Sequence, residues 1–238
     1  MMDIFGMMFM DYLRSGEDAK YVIYRDDGYF EHLYVKGYFS EYDEFGSLIQ
    51  EALEYVSGKV LDVGCGTGKH SLYLQSLGID VVGLDISPLA TQVCKKRGLK
   101  KCVAASALNL PFKKGTFDTI IMMGNNFGIA GTLPKTRRML MNFRELLSAN
   151  GIVISHSIDP TLTNNPEHLA YHERNRKCGL PIGQVKIKLE YKKATSSWFY
   201  LLLVTPEEMK KLAEETGWRL DKFLVGQDAS YIGIFRRT

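Results

Sequence analysis

No apolar run in the 238-residue sequence approaches the roughly 18 residues that a membrane-spanning helix requires. Cysteine is scarce: Cys65, Cys94, Cys102 and Cys178 include no C-x-x-C pair, which indicates neither a zinc knuckle nor a dithiol redox motif. That usage suits a reducing compartment. Charge of one sign is also lacking, since 30 basic residues against 27 acidic ones leave a net +3. The balance gives no reason to expect a polyanion partner, and Lys95–Lys96–Arg97, Lys113–Lys114 and Arg137–Arg138 read as solvated helix ends. The apolar start, Met1–Met10, is flanked by Asp3 and Asp11 and has no basic segment before it. A signal peptide is therefore not expected, and the expected location is cytoplasmic. His168 and His172 stand at i, i+4 without a clear third ligand, so no metal is expected. There is no internal repeat or low-complexity tract.

What is present alternates. The stretch to Ser57 is rich in aromatic and acidic residues, and Phe45, Leu48, Ile49, Ala52, Leu53 and Val56 have helical spacing over Glu41 to Val56. From Val60 to Ile154, short apolar runs (60–63, 80–84, 102–104, 117–123, 152–154) alternate with amphipathic helical segments. That order predicts a parallel sheet with helices on both faces. After a polar, irregular stretch from Pro160 to Gly183, residues 184–193 alternate strictly and predict a half-exposed antiparallel strand, with 198–204 as its partner. Thr205 and Pro206 predict a helix start, Gly217 its end, and two more strands follow at 219–225 and 231–235.

Val60-Leu61-Asp62-Val63-Gly64-Cys65-Gly66-Thr67-Gly68 joins a strand to a helix through three alternate glycines. Such a loop turns sharply and lets a ligand approach the backbone, with a helix N-terminus behind it. A dinucleotide fingerprint would need glycine where Lys69 stands, and no P-loop spacing is present. Asp85 ends the second strand, about 20 residues further on, where an acid can hold ribose hydroxyls.

With the loop and Asp85 together, residues 59–157 resemble the class I S-adenosylmethionine-dependent methyltransferases. The resemblance implies a doubly wound, seven-stranded, mostly parallel sheet of the Rossmann-like kind, with a helical N-terminal cap and an inserted antiparallel strand pair. It implies one domain over 1–238: an aromatic-rich cap (1–57), a cofactor-binding core (58–157), an insertion or lid (158–204), and a C-terminal helix and strand pair (205–238). S-adenosylmethionine would be the cofactor. Gly64, Cys65, Gly66 and Gly68 would cradle its methionine part, and Asp62 would orient the amino group. Asp85 would hold the ribose, with Ile86 on the adenine. Where the family often has an adenine-binding Asp, this sequence has Ser106–Ala107, so that contact would fall to backbone and Ser106.

Ligands of doubly wound sheets lie beyond the carboxyl ends of the strands. Asn125 and Asn126 after the fourth strand are thus expected to face cofactor or acceptor, and His156 after the fifth is the candidate base. Arg25 and Tyr29 are candidates for a lid near the sulfonium, since aromatic rings attract cations. The prolines of an amino-directed nucleic-acid methyltransferase are absent beside Asn125-Asn126-Phe127. A small-molecule acceptor is the leading expectation, with neither a membrane nor a nucleic acid as partner. The alternatives are an RNA- or protein-directed methyltransferase and a non-catalytic cofactor-binding protein.

Overall fold

The computed structural model describes residues 2–238. In chain order, the elements begin with α1 (Ile4–Ser15), β1 (Lys20–Arg25), β2 (Phe30–Tyr34) and α2 (Ser47–Leu53). The core follows as β3 (Val60–Val63), α3 (Lys69–Ser76), β4 (Val81–Asp85), α4 (Pro88–Lys96), β5 (Cys102–Ala104), β6 (Phe117–Met122), α5 (Leu133–Leu146) and β7 (Leu147–Ile158). Then come α6 (Pro166–Lys177), β8 (Gln184–Tyr191), β9 (Ala194–Thr195), β10 (Phe199–Leu202), α7 (Pro206–Glu215), β11 (Trp218–Val225) and β12 (Ser230–Arg237).

Seven strands form the central sheet in the order β11-β12-β7-β6-β3-β4-β5. The five strands from β3 to β7 are mutually parallel, and β12 enters antiparallel between β7 and β11. All four residues of β3 are buried, as a strand covered on both faces requires. One face packs Met139, Leu140 and Phe143 of α5 with Met209 and Leu212 of α7, and the other packs Leu53 of α2 with Leu74 of α3. Thr205 caps α7 in a capping box with Glu208, with Pro206 in the first turn, as the sequence signals. Among the described residues no helix is long and apolar enough to cross a membrane.

The N-terminal cap contains more than helix. β1 and β2 form a hairpin, and β1 pairs on its other edge with β8, which pairs in turn with β10. Cap and insertion thus share one antiparallel sheet, here called the lid. The helix expected over 41–56 is broken at Gly46: a 3-10 turn over Tyr42–Glu44 precedes the shorter α2. Residues expected to be irregular before β8 include the twelve-residue α6. Asn165 caps that helix, and the Asn175 amide donates to the carbonyls of Pro181, Ile182 and Gln184.

Candidate active site

The glycine loop leaves β3 with positive φ at Gly64 (74°) and Gly66 (56°), angles that favour glycine. Gly64 is also crowded: a Cβ there would fall 2.4 Å from Asn126 Nδ2. At Gly66 a Cβ would meet only the Phe9 ring, at 3.8 Å, so the loop surface there is open. The N–H groups of Gly64 and Cys65 both donate to the Leu84 carbonyl, and that of Gly66 donates to Asp85 Oδ2 at 2.9 Å. The loop is therefore fastened to β4 by protein contacts alone. Asp85 Oδ1 accepts from the N–H of Ser87 at 2.9 Å, and each oxygen retains a second lone pair. Burial raises the Asp85 carboxyl above its ordinary range. Beneath the loop, the buried Asp62 accepts from Ser71 Oγ at 2.6 Å, and desolvation pushes its pKa up to about 7.

Beside Asp85, Ile86 stands 73% exposed, an aliphatic face open to a flat ring. The N–H of Ala105 donates to the Asp85 carbonyl at 2.9 Å, which brings the Ser106–Ala107 turn alongside. Ser106 Oγ accepts from the N–H of Leu108 at 3.2 Å, so this hydroxyl also shapes the turn.

Asn126 differs from expectation. Its Nδ2 donates to the carbonyls of Val63 (3.0 Å) and Gly64 (3.1 Å), so the side chain braces the glycine loop instead of facing an acceptor. Asn125, in a left-handed conformation (φ 66°), donates its N–H to His156 Nδ1 at 2.9 Å. An occupied Nδ1 lone pair places the proton of the neutral ring on Nε2. Burial lowers the His156 pKa to about 4, with a small opposing effect from Asp228. The ring is thus a neutral donor at Nε2, and a base at that atom is excluded in this tautomer. Among the described residues, Asn125 Oδ1 is buried without a hydrogen-bond partner.

Arg25 is also a correction. Its Nε and Nη2 donate to the Asp27 carboxylate, both at 2.8 Å, and Nη2 donates to the Glu167 carbonyl at 3.0 Å. The guanidinium lies 4.6 Å from the Tyr29 ring centre and 4.3 Å from that of Tyr171. Arg25 and Tyr29 therefore tie the β1–β2 turn to α6, and their contacts lie within the lid.

Sequence reasoning did not find the residues that seat the lid on the core. Asp3 caps α1 and its Oδ2 accepts from Ser87 Oγ (2.7 Å) and the N–H of Leu89 (3.2 Å), placing α1 on α4. Lys69 Nζ donates to the Gly37 carbonyl and Ser40 Oγ. Thr67 Oγ1 donates to the Tyr38 carbonyl. On the other flank, Gly128 permits close approach of β10, since a Cβ there would fall 1.7 Å from the Leu202 carbonyl oxygen. Cys65, placed in the loop by the sequence reading, points into a buried pocket with Cys94 and Cys102.

Residues 60–151 match the methyltransferase domain family. Nearly the whole chain superposes on a SAM-dependent methyltransferase from Bacteroides fragilis, solved in complex with S-adenosyl-L-homocysteine. The TM-score is 0.86 at 25% identity, over 99% of this chain and 95% of that one. The core of the chain thus carries a methyltransferase domain, and nearly the whole chain has the fold of an S-adenosylmethionine-dependent methyltransferase. Among named methyltransferases, the glycine/sarcosine N-methyltransferase of Parasynechococcus marenigrum is 29% identical over 161 residues, 60% of this chain and 56% of that protein. The ubiquinone biosynthesis O-methyltransferase of Cereibacter sphaeroides is 25% identical over 180 residues, 73% of this chain and 65% of that protein. The chain thus spans little more than half the length of the first. The similarity implies S-adenosylmethionine as cofactor. The residues fit it: the loop is open at Gly66, the Asp85 carboxylate has free lone pairs, Ile86 is uncovered, and Asn125 Oδ1 awaits a donor.

Proposed function

We propose that this methyltransferase acts on a small-molecule acceptor, bound against the ends of β6 and β7 under the lid. The observation that carries this reading is a cover seated at two places, with Phe9 of α1 beside Gly66 of the glycine loop and Leu202 of the lid's β10 against Gly128 after β6. A cover seated in this way suits an acceptor small enough to be enclosed. The N- and O-methyltransferases among its relatives support an amine or hydroxyl acceptor.

Bound S-adenosylmethionine supplies an activated methyl group on a sulfonium sulfur. The chain's own task is to position the nucleophile and exclude water. Asp62 and the Asn126-braced loop hold the amino-acid end, and Asp85 holds the ribose. The unpartnered Asn125 Oδ1 accepts a hydrogen bond from the ligand, and His156 Nε2–H donates one. His156 orients the acceptor and does not deprotonate it.

Calorimetric titration with S-adenosylmethionine and, separately, NADH comes first, followed by S-adenosylhomocysteine release over small amines, hydroxy acids and phenols. Bulk RNA and protein serve as rival acceptors. Cofactor binding is expected to weaken in Asp85→Ala by about 1–3 kcal/mol. NADH binding in place of S-adenosylmethionine would overturn the cofactor assignment. Turnover confined to RNA or protein would overturn the small-molecule reading.

A further inference from the structure

Cys65 comes from the glycine loop, Cys94 from α4 and Cys102 from β5, yet their sulfurs meet behind the cofactor loop. Cys65 Sγ lies 3.9 Å from Cys94 Sγ and 4.0 Å from Cys102 Sγ, and all three lie within 4.8 Å of one another. We propose that these thiols form a buried site for one soft, thiophilic divalent cation.

The geometry suits a metal. An ion among three sulfurs about 4 Å apart sits about 2.3–2.5 Å from each, the length of a metal–thiolate bond. The three residues are 6%, 0% and 9% exposed, and Leu72 and Leu99 complete the surroundings. That donor set is sulfur in an apolar shell, which selects soft ions over magnesium or calcium. Glycines leave the room the sulfurs occupy. A Cβ on Gly68 would stand 3.0 Å from Cys94 Sγ, and one on Gly83 would stand 3.0 Å from Cys65 Sγ. Binding replaces whatever protons the three sulfurs carry with metal–sulfur bonds and releases those protons to solvent, with no change of oxidation state.

The site touches the cofactor loop directly. Cys65 lies between Gly64 and Gly66, and Cys94 donates its S–H to the Gly66 carbonyl at 3.1 Å. A cation that takes the Cys94 proton removes this hydrogen bond and pins Cys65. Cation and cofactor therefore change each other's affinity by the same factor. Only this coupling rests on the methyltransferase reading; cation binding does not.

The test is anaerobic titration of the fully reduced protein with cadmium ion, read by sulfur-to-metal charge-transfer absorption. Saturation at one equivalent is expected, and Cys65→Ser, Cys94→Ser and Cys102→Ser should each weaken binding by about 100-fold or more, since outer-shell changes alone cost 10–100-fold. Cys178→Ser, at an exposed position, should bind as the parent does. A readout on the unmodified protein guards against variants that fail to fold. With cadmium, alkylation followed by mass spectrometry should label Cys178 and spare the other three. Absence of the absorption band, loss of it in Cys178→Ser, or equal labelling of all four thiols would overturn the proposal. Cadmium binding that leaves S-adenosylhomocysteine affinity unchanged would overturn the coupling.

Discussion

The backbone N–H of Asn125 donates to Nδ1 of His156 across 2.9 Å, and this contact decides which ring nitrogen carries the proton. It also makes protonation of the ring costly, because a second proton would oppose the Asn125 donor in a buried setting. His156 is held at about 4 and His70 at about 3, both chiefly by burial; the charges of Lys69 and His156 lower His70 further, while Asp228 slightly raises His156. A histidine with a lowered folded pKa contributes stability that is complete above the unfolded value, near 6.5, and is lost as pH falls toward the folded value. Unfolding free energy should therefore drop between pH 6.5 and 4. In His156→Gln that drop should shrink by about 3 kcal/mol, measured by urea denaturation across the range.

Asp62 works in the opposite sense. Its folded pKa of about 7 exceeds the ordinary 3.8, so its contribution is complete below the unfolded value and lost as pH rises through about 7. Asp62→Asn should raise stability at pH 8 by about 2–4 kcal/mol while weakening cofactor binding, since the amide keeps the Ser71 bond but loses the charge. Thermal melts and calorimetry on the same preparation separate the two effects. A variant less stable at pH 8 than the parent would contradict the assignment.

Gly64 and Gly66 should respond differently to alanine. Both positions carry positive φ, at a cost of about 1–2 kcal/mol for an L side chain. Only Gly64 adds a collision, with the Asn126 amide at 2.4 Å. Gly64→Ala should lose both the loop brace and cofactor binding, whereas Gly66→Ala should stay folded and lose affinity where a ligand approaches the loop. Equal melting temperatures for the two variants would refute the distinction.

Arg25→Ala removes a buried guanidinium that serves Asp27, the Glu167 carbonyl and two rings. The expected loss is about 2–4 kcal/mol, concentrated in the lid. Hydrogen exchange should quicken in β1 and α6 while β3 and β4 keep their protection. If the change reaches the central sheet equally, lid and core unfold together.

The central sheet was legible because its parallel strands are buried on both faces and read as apolar runs between helical periods. The loop and Asp85 were legible because glycine spacing and a strand-end acid leave local marks. The β1–β2 hairpin was less so, although Asp26-Asp27-Gly28 is a turn signal between two strand-like segments. Aromatic residues occur on both faces of this segment and blur the strand alternation. α6 is polar nearly all round and so lacks an amphipathic pattern; Asn175 and Tyr171 anchor it through contacts with β8 and the hairpin turn. The task of Asn126 depends on carbonyls some 60 residues away, and the three thiols span 37 residues. No local pattern encodes either meeting.

The pairing of β1 with β8 sets a delay into biosynthesis. Arg25 meets Ile187 across about 160 residues, which at about 5–20 residues per second separates their appearance by about ten to thirty seconds. Throughout that interval the nascent hairpin presents an unpaired edge, open to neighbouring chains. Lys20, at the start of β1, places positive charge beside that edge. The same long closure makes the lid one of the last parts of the molecule to assemble, after much of the central sheet has been made.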